Sequence, residues 1–140
     1  MSQPNPALKR LDILVGTWSV KGQESESGGE ITGQLTFEWM EGGFFFVQRA
    51  DVNYPEQKIR GVEIIGYDEQ KKVLISHYFD NIGNIFEYLW EVSDSELKIW
   101  GGYVGSVASF RGKFSDDKNT IIGRWDWPGG GYEATMTRVK

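Results

Sequence analysis

Ala108-Ser109-Phe110-Arg111-Gly112-Lys113-Phe114, Thr120-Ile121-Ile122-Gly123-Arg124-Trp125-Asp126-Trp127 and Tyr132-Glu133-Ala134-Thr135-Met136-Thr137 decide the fold. In the first run Ala108, Phe110, Gly112 and Phe114 alternate with Ser109, Arg111 and Lys113. In the second, Ile121, Gly123, Trp125 and Trp127 oppose Thr120, Arg124 and Asp126. In the third, Tyr132, Ala134 and Met136 oppose Glu133, Thr135 and Thr137. A period of two is the strand period, so each run has one buried and one wet face. Asp116-Asp117-Lys118-Asn119 and Pro128-Gly129-Gly130-Gly131 separate the runs. Turns that short join antiparallel neighbours.

The pattern continues upstream. Leu35, Phe37 and Trp39 oppose Thr36 and Glu38, while Phe86, Tyr88, Trp90 and Val92 oppose Glu87 and Glu91. Further turn signals stand at Ser27-Gly28-Gly29, Glu41-Gly42-Gly43, Tyr54-Pro55-Glu56-Gln57, Asp68-Glu69-Gln70, Asp80-Asn81-Ile82-Gly83, Ser93-Asp94-Ser95 and Gly101-Gly102. Nine turns thus bound ten short segments rich in β-branched and aromatic residues. No gap is long enough for the crossover helices of a parallel sheet. A meander of this kind closes as a barrel or folds as a sandwich, and the aromatic inner faces favour a barrel interior. The expected fold is therefore all-β: an antiparallel up-and-down barrel of about ten strands, spanning about residues 16–139. Ahead of it, Ala7 to Val15 carries apolar residues at 8, 11, 14 and 15, with Pro6 before it and Gly16 after. That spacing predicts one short helix over about residues 7–15.

Composition bounds the rest. A chain of 140 residues forms one domain, over residues 1–140. A domain near this size removes roughly 68–70% of its unfolded surface from water, so it needs no staple. One histidine and no cysteine exclude an ordinary zinc site. Twenty acidic against 15 basic side chains leave a net charge of −5, which disfavours nucleic acid and anionic membranes. No apolar run is long enough to span a bilayer. Met1-Ser2-Gln3-Pro4-Asn5-Pro6 lacks the charged and apolar regions of a secretory signal, which predicts a cytoplasmic protein. The Asp116–Asn119 turn lacks EF-hand spacing, and Gly129 to Gly131 precede a strand and not a phosphate-binding helix. No metal and no cofactor is expected.

Leu11-Asp12-Ile13-Leu14-Val15-Gly16-Thr17-Trp18 resembles the Gly-x-Trp opening of lipocalin-like (calycin) barrels. With Phe37-Glu38-Trp39, Gly42-Gly43-Phe44, Gly66-Tyr67-Asp68, Phe79-Asp80-Asn81-Ile82-Gly83 and Thr137-Arg138, the chain resembles, from Leu11 to Val139, a bacterial family of unknown function with that fold. The calycin resemblance implies an up-and-down barrel of about eight to ten strands around a cavity for small, often apolar ligands. It also implies that Trp18 closes one end with Arg138 packed across its ring, a structural pair. Haem barrels of the nitrobindin type also open with Gly-x-Trp, and their resemblance implies an axial histidine near the C-terminus. Here Gly129 to Lys140 holds no His or Cys. Tyr132 and Met136 are the only substitutes there, and they depart from that pattern.

Six residues stand out as candidates for a ligand site. His77 is the one side chain whose ordinary pKa suits proton transfer near neutrality. Both alternating sets around it are partly apolar, so it faces either a ligand inside or a neighbour on the outer wall. Arg49 follows Phe45 and Val47 on one face; if that face is inner, Arg49 anchors an acidic head group. If Phe44, Phe46 and Ala50 form the inner set, it sits in solvent. Trp39, Tyr88, Trp90 and Trp125 are the candidate walls, unless the rings fill the barrel completely. Arg111 and Arg124 read as outer residues, as do Glu38, Glu63, Glu87 and Glu91.

The function expected from these features is non-enzymatic: holding a small, largely apolar or amphipathic molecule inside the barrel. Two alternatives stand beside it. One is a small barrel enzyme of the isomerase or cyclase type with His77 as acid–base. The other is a packed interaction module that works through its surface or as a homodimer.

Overall fold

The computed structural model describes residues 3–140. Met1 and Ser2, which the readings of the opening stretch and of the domain included, lie outside the described residues. Ten strands follow a short helix: β1 (Gly16–Glu24), β2 (Glu30–Trp39), β3 (Phe46–Asn53), β4 (Lys58–Asp68), β5 (Val73–Asp80), β6 (Ile85–Val92), β7 (Glu96–Gly101), β8 (Ser109–Phe114), β9 (Thr120–Trp127) and β10 (Gly130–Arg138). Each pairs antiparallel with its sequence neighbours, and β1 pairs with β10 to close the barrel. The expected up-and-down topology is what the chain adopts. Closure leaves no free sheet edge for another chain to pair with. Gly130 and Gly131, read as part of a turn, open β10 instead.

The helix is 3₁₀, over Pro6–Leu14, one residue earlier than the sequence spacing placed it. The reason lies in that spacing. Leu8, Leu11 and Leu14 are three apart, the 3₁₀ period, so all three share one face and all are buried. Val15 leaves this face and is exposed. Asn5 caps the start by accepting from the Ala7 N–H at 2.9 Å, and Pro6 gives up no useful donor there. Burying each leucine contributes about 1.5–3 kcal/mol, which makes this short helix a stopper for one end of the barrel.

Trp18 lies beneath the stopper, fully buried, and donates its indole N–H to the Leu14 carbonyl at 2.8 Å. The Arg138 guanidinium sits 4.3 Å from the Trp18 ring centroid. It also donates to the carbonyls of Ile13, Val15 and Lys118 and to the Asn119 side chain. One cation therefore joins the helix end, the β8–β9 turn and the first strand. Trp18 and Arg138, the pair expected to close the barrel, are in contact beneath the helix.

The register divides the interior into two halves. Nearest the helix are Phe37, Phe46, Ile65, Leu74, Val92, Leu97, Phe114, Ile121 and Met136, all buried in one apolar cluster. Toward the other end the inward positions are held by Tyr78, Phe86, Tyr88, Trp125, Trp127 and Tyr132. A Cβ on Gly33 would lie 2.4 Å from the Asp51 carbonyl oxygen, so only glycine lets β2 approach β3 there.

Candidate functional site

Inward side chains in the far half are large rings. Tyr78 and Phe86 stack at 6.0 Å between centroids, and Tyr88 meets Trp125 edge-on at 5.7 Å. Trp127 and Tyr54 both pack against Tyr132, at 6.0 and 5.8 Å. Gly61, opposite Asp80 on the neighbouring strand, leaves room for the Tyr78 ring, which a Cβ there would strike at 2.7 Å. The Tyr78 hydroxyl donates to Asp80 Oδ2 at 3.0 Å. Asp80 is itself held by the Ile82 and Asn84 backbone N–H groups and the Asn84 amide. The rings are thus set by the strand ends and by one turn, not by each other alone.

At the floor of this half stands Glu63, only 6% exposed. It was expected on the outer wall and is inside. In β4 the inward set is Ile59, Gly61, Glu63, Ile65 and Tyr67; the outward set holds Val62 and Ile64. The middle of the strand is apolar on both faces because Ile64 joins Val47, Ile75 and Leu89 in an apolar band on the outer wall. Alternation around Glu63 therefore pointed the wrong way. The strand ends carried the better signal: Lys58, Arg60 and Asp68 all fall on the opposite set.

Glu63 is only half satisfied. Ser76 donates to its Oε2 at 2.5 Å, and the Trp90 indole N–H reaches both Ser76 Oγ at 2.9 Å and Oε2 at 3.2 Å. Its other oxygen, Oε1, takes no hydrogen bond from the described residues, although every sealed side-chain nitrogen or oxygen among them has a partner. Oε1, on the inward face, is therefore not completely sealed by its neighbours. Gln48 neighbours Glu63 across β3–β4, and Tyr88 and Trp125 stand on inward positions. All three are only half-buried. Burial pushes the Glu63 carboxyl up to about 7, against the lowering pull of the Ser76 and Trp90 hydrogen bonds. Burial likewise raises the Tyr78, Tyr88 and Tyr132 hydroxyls, which stay protonated donors.

The six candidates separate. Tyr88, Trp90 and Trp125 come together around the far half. Trp39 is inward but belongs to the helix end, where it packs on Phe46 and donates to Asp12 at 2.7 Å. Arg49 and His77 are on the outside, both with 59% exposed side chains, which corrects the expectation that either anchors a ligand inside. Arg49 lies 3.7 Å from Glu38, and His77 lies 3.7 Å from Glu87. Gln48 and Ala50 take the inward positions on either side of Arg49, which settles its face. Arg124 is outside as expected, paired with Asp126 at 2.8 Å. The residues that reading missed are Glu63, Gln48, Ser76 and Tyr78.

A broad cleft of about 780 Å³ also crosses the outer wall over β1, β10, β9 and β8, lined by Lys21, Arg111, Arg124 and Glu133. Its arginine at position 124 is already tied to Asp126, Glu133 and Ser25. Among the described residues no group of His, Cys, Asp and Glu is arranged to hold a metal ion, and no helix is long and apolar enough to cross a membrane.

The chain belongs to the family described as Protein of unknown function (DUF1579), whose model matches residues 3–99. That span includes Gln48, Glu63, Ser76, Tyr88 and Trp90. No curated protein matches the chain. Among solved structures it is similar to a de novo designed fluorescence-activating beta barrel, at 13% identity and TM-score 0.53, covering 93% of this chain and 97% of that one. It is also similar to EF1p2_mFAP2b bound to DFHBI, at 14% identity and TM-score 0.51, covering 94% of this chain and 98% of that one. At such identities the likeness is one of fold.

Proposed function

We propose that this member of the family is a small-molecule binding protein that holds a largely apolar ligand in the far half of its barrel. The observation that carries the proposal is the pairing of a ring-lined interior with a Glu63 oxygen, Oε1, that is not sealed off and takes no hydrogen bond from the described residues. Pockets for small molecules combine apolar walls with a few convergent polar groups, and such an oxygen is free to accept from a ligand. Tyr88, Trp90 and Trp125 would form the walls, and Gln48 and Glu63 would orient the polar end. The resemblance to calycin barrels supports this reading, and so does the DFHBI-bound barrel of similar fold, each by analogy.

The acid–base reading loses its residue, because His77 stands on the outer wall beside Glu87. The filled-barrel reading has Glu63 Oε1 and the half-buried Gln48 against it. Native mass spectrometry of freshly purified protein, against the same sample after denaturing extraction, tests the proposal. A small molecule lost on denaturation is the expected result. A bare mass, together with failure of every apolar fluorescent probe to bind, would overturn it.

A further inference from the structure

Resting on that reading, we infer that the barrel selects ligands whose polar end is a cation, a protonated amine or amidine, seated against Glu63 Oε1. Four observations converge on this class. First, Oε2 is fully engaged by Ser76 and Trp90, so the carboxylate is held with a single oxygen presented to the interior. Its orientation is thus set before any ligand arrives, which lowers the cost of binding.

Second, the charges are of one sign. Along the strands, Lys21, Arg49, Lys58, Arg60, Lys98, Arg111, Lys113 and Arg124 all fall on outward positions of the register. Arg138 is spent at the helix end. Glu63 and Asp80 share the inward set of the far half, with Glu24 at its rim opposite Tyr132. An anionic ligand would meet acids and no compensating base.

Third, the groups facing Glu63 from the neighbouring strands are Gln48 on β3, Ser76 and Tyr78 on β5, and Tyr88 and Trp90 on β6. None of them is a cation, so the counter-charge for an ionised Glu63 has to come from the ligand. Burying one charge without its partner is costly, and supplying the partner recovers much of that cost. Fourth, the surrounding faces of Tyr78, Tyr88 and Trp125 carry the negative quadrupole that attracts ammonium and amidinium groups.

The test is calorimetric titration at pH 8 of the purified full chain with three matched probes, in benzyl and naphthylmethyl series: the ammonium, the alcohol and the corresponding aryl carboxylate. The ammonium is expected to bind at least about tenfold more tightly than the alcohol, and the carboxylate more weakly than either. Glu63→Gln is expected to remove the ammonium's advantage over the alcohol, with circular dichroism confirming the fold. Alcohol and carboxylate binding as well as the ammonium would overturn the cation preference and leave the binding proposal standing. An ammonium advantage that survives Glu63→Gln would overturn the assignment to Glu63. Failure of all probes in both series would overturn the binding reading itself, and this inference with it. The wild-type comparison needs no variant, so a poorly folding substitution does not protect the inference.

Discussion

Replacing Glu63 with glutamine should make the barrel more stable at neutral and alkaline pH, and hardly at all near pH 4. In the fold, burial moves this carboxyl from its ordinary 4.5 up to about 7. The folded state therefore holds the proton more tightly than the unfolded chain. Stability from this group is fully present below pH 4.5 and is lost as pH rises through about 7. At roughly 1.4 kcal/mol per pH unit, the loss is on the order of 3 kcal/mol. Glutamine keeps an acceptor oxygen for Ser76 and Trp90 and carries no charge at any pH. Tyr78 and Tyr88 face the same space but stay protonated, so they do not blur the window. Urea denaturation of both proteins from pH 4 to 8.5 gives two profiles. Their difference cancels every titration the two share. The expected result is near coincidence at pH 4 and a gap of about 3 kcal/mol in favour of the variant by pH 8. Parallel profiles, or a variant less stable at pH 8, would refute the picture of a carboxyl buried without a counter-charge.

Arg138→Ala should cost about 2–4 kcal/mol in urea, because it strips the Trp18 ring of its cation and leaves the Ile13, Val15 and Lys118 carbonyls without their donor. Gly33→Ala should lower the yield of folded protein sharply, since the new Cβ would meet the Asp51 backbone oxygen, whereas Gly83→Ala, with open space but a φ of +87°, should cost only about 1 kcal/mol. His77→Ala should leave probe affinity unchanged and alter stability by less than about 0.5 kcal/mol, as befits an exposed pair with Glu87; a loss of binding would put His77 back in the site.

Much of the fold was legible because, Ile122 apart, each strand from β8 to β10 is apolar on one face only. Turn residues bounded the segments, so strand count and antiparallel order followed. The helix type was present in the strict three-residue spacing of its leucines, and was missed because Val15 suggested a 3.6-residue period. The site was less legible. Arg49 and His77 drew attention as charged or titratable groups among apolar neighbours, and Glu63 did not, because valine and isoleucine flank it.

Alternation along a strand is a local property, and it names a face only where one set of side chains is clearly more polar. On β3, β4 and β5 both sets carry apolar residues, so sequence alone determined that strands were there and left open which way they faced. Ring closure decided it. Once β1 paired with β10, the register running from Trp18 around the barrel fixed the parity of every strand, and one residue's slip would have turned Glu63 out and His77 in. The sequence by itself determined ten strands, a stopper and an aromatic interior. Only the closed barrel decided that the charge inside is a carboxylate, because inside and outside are properties of the ring and not of any strand within it.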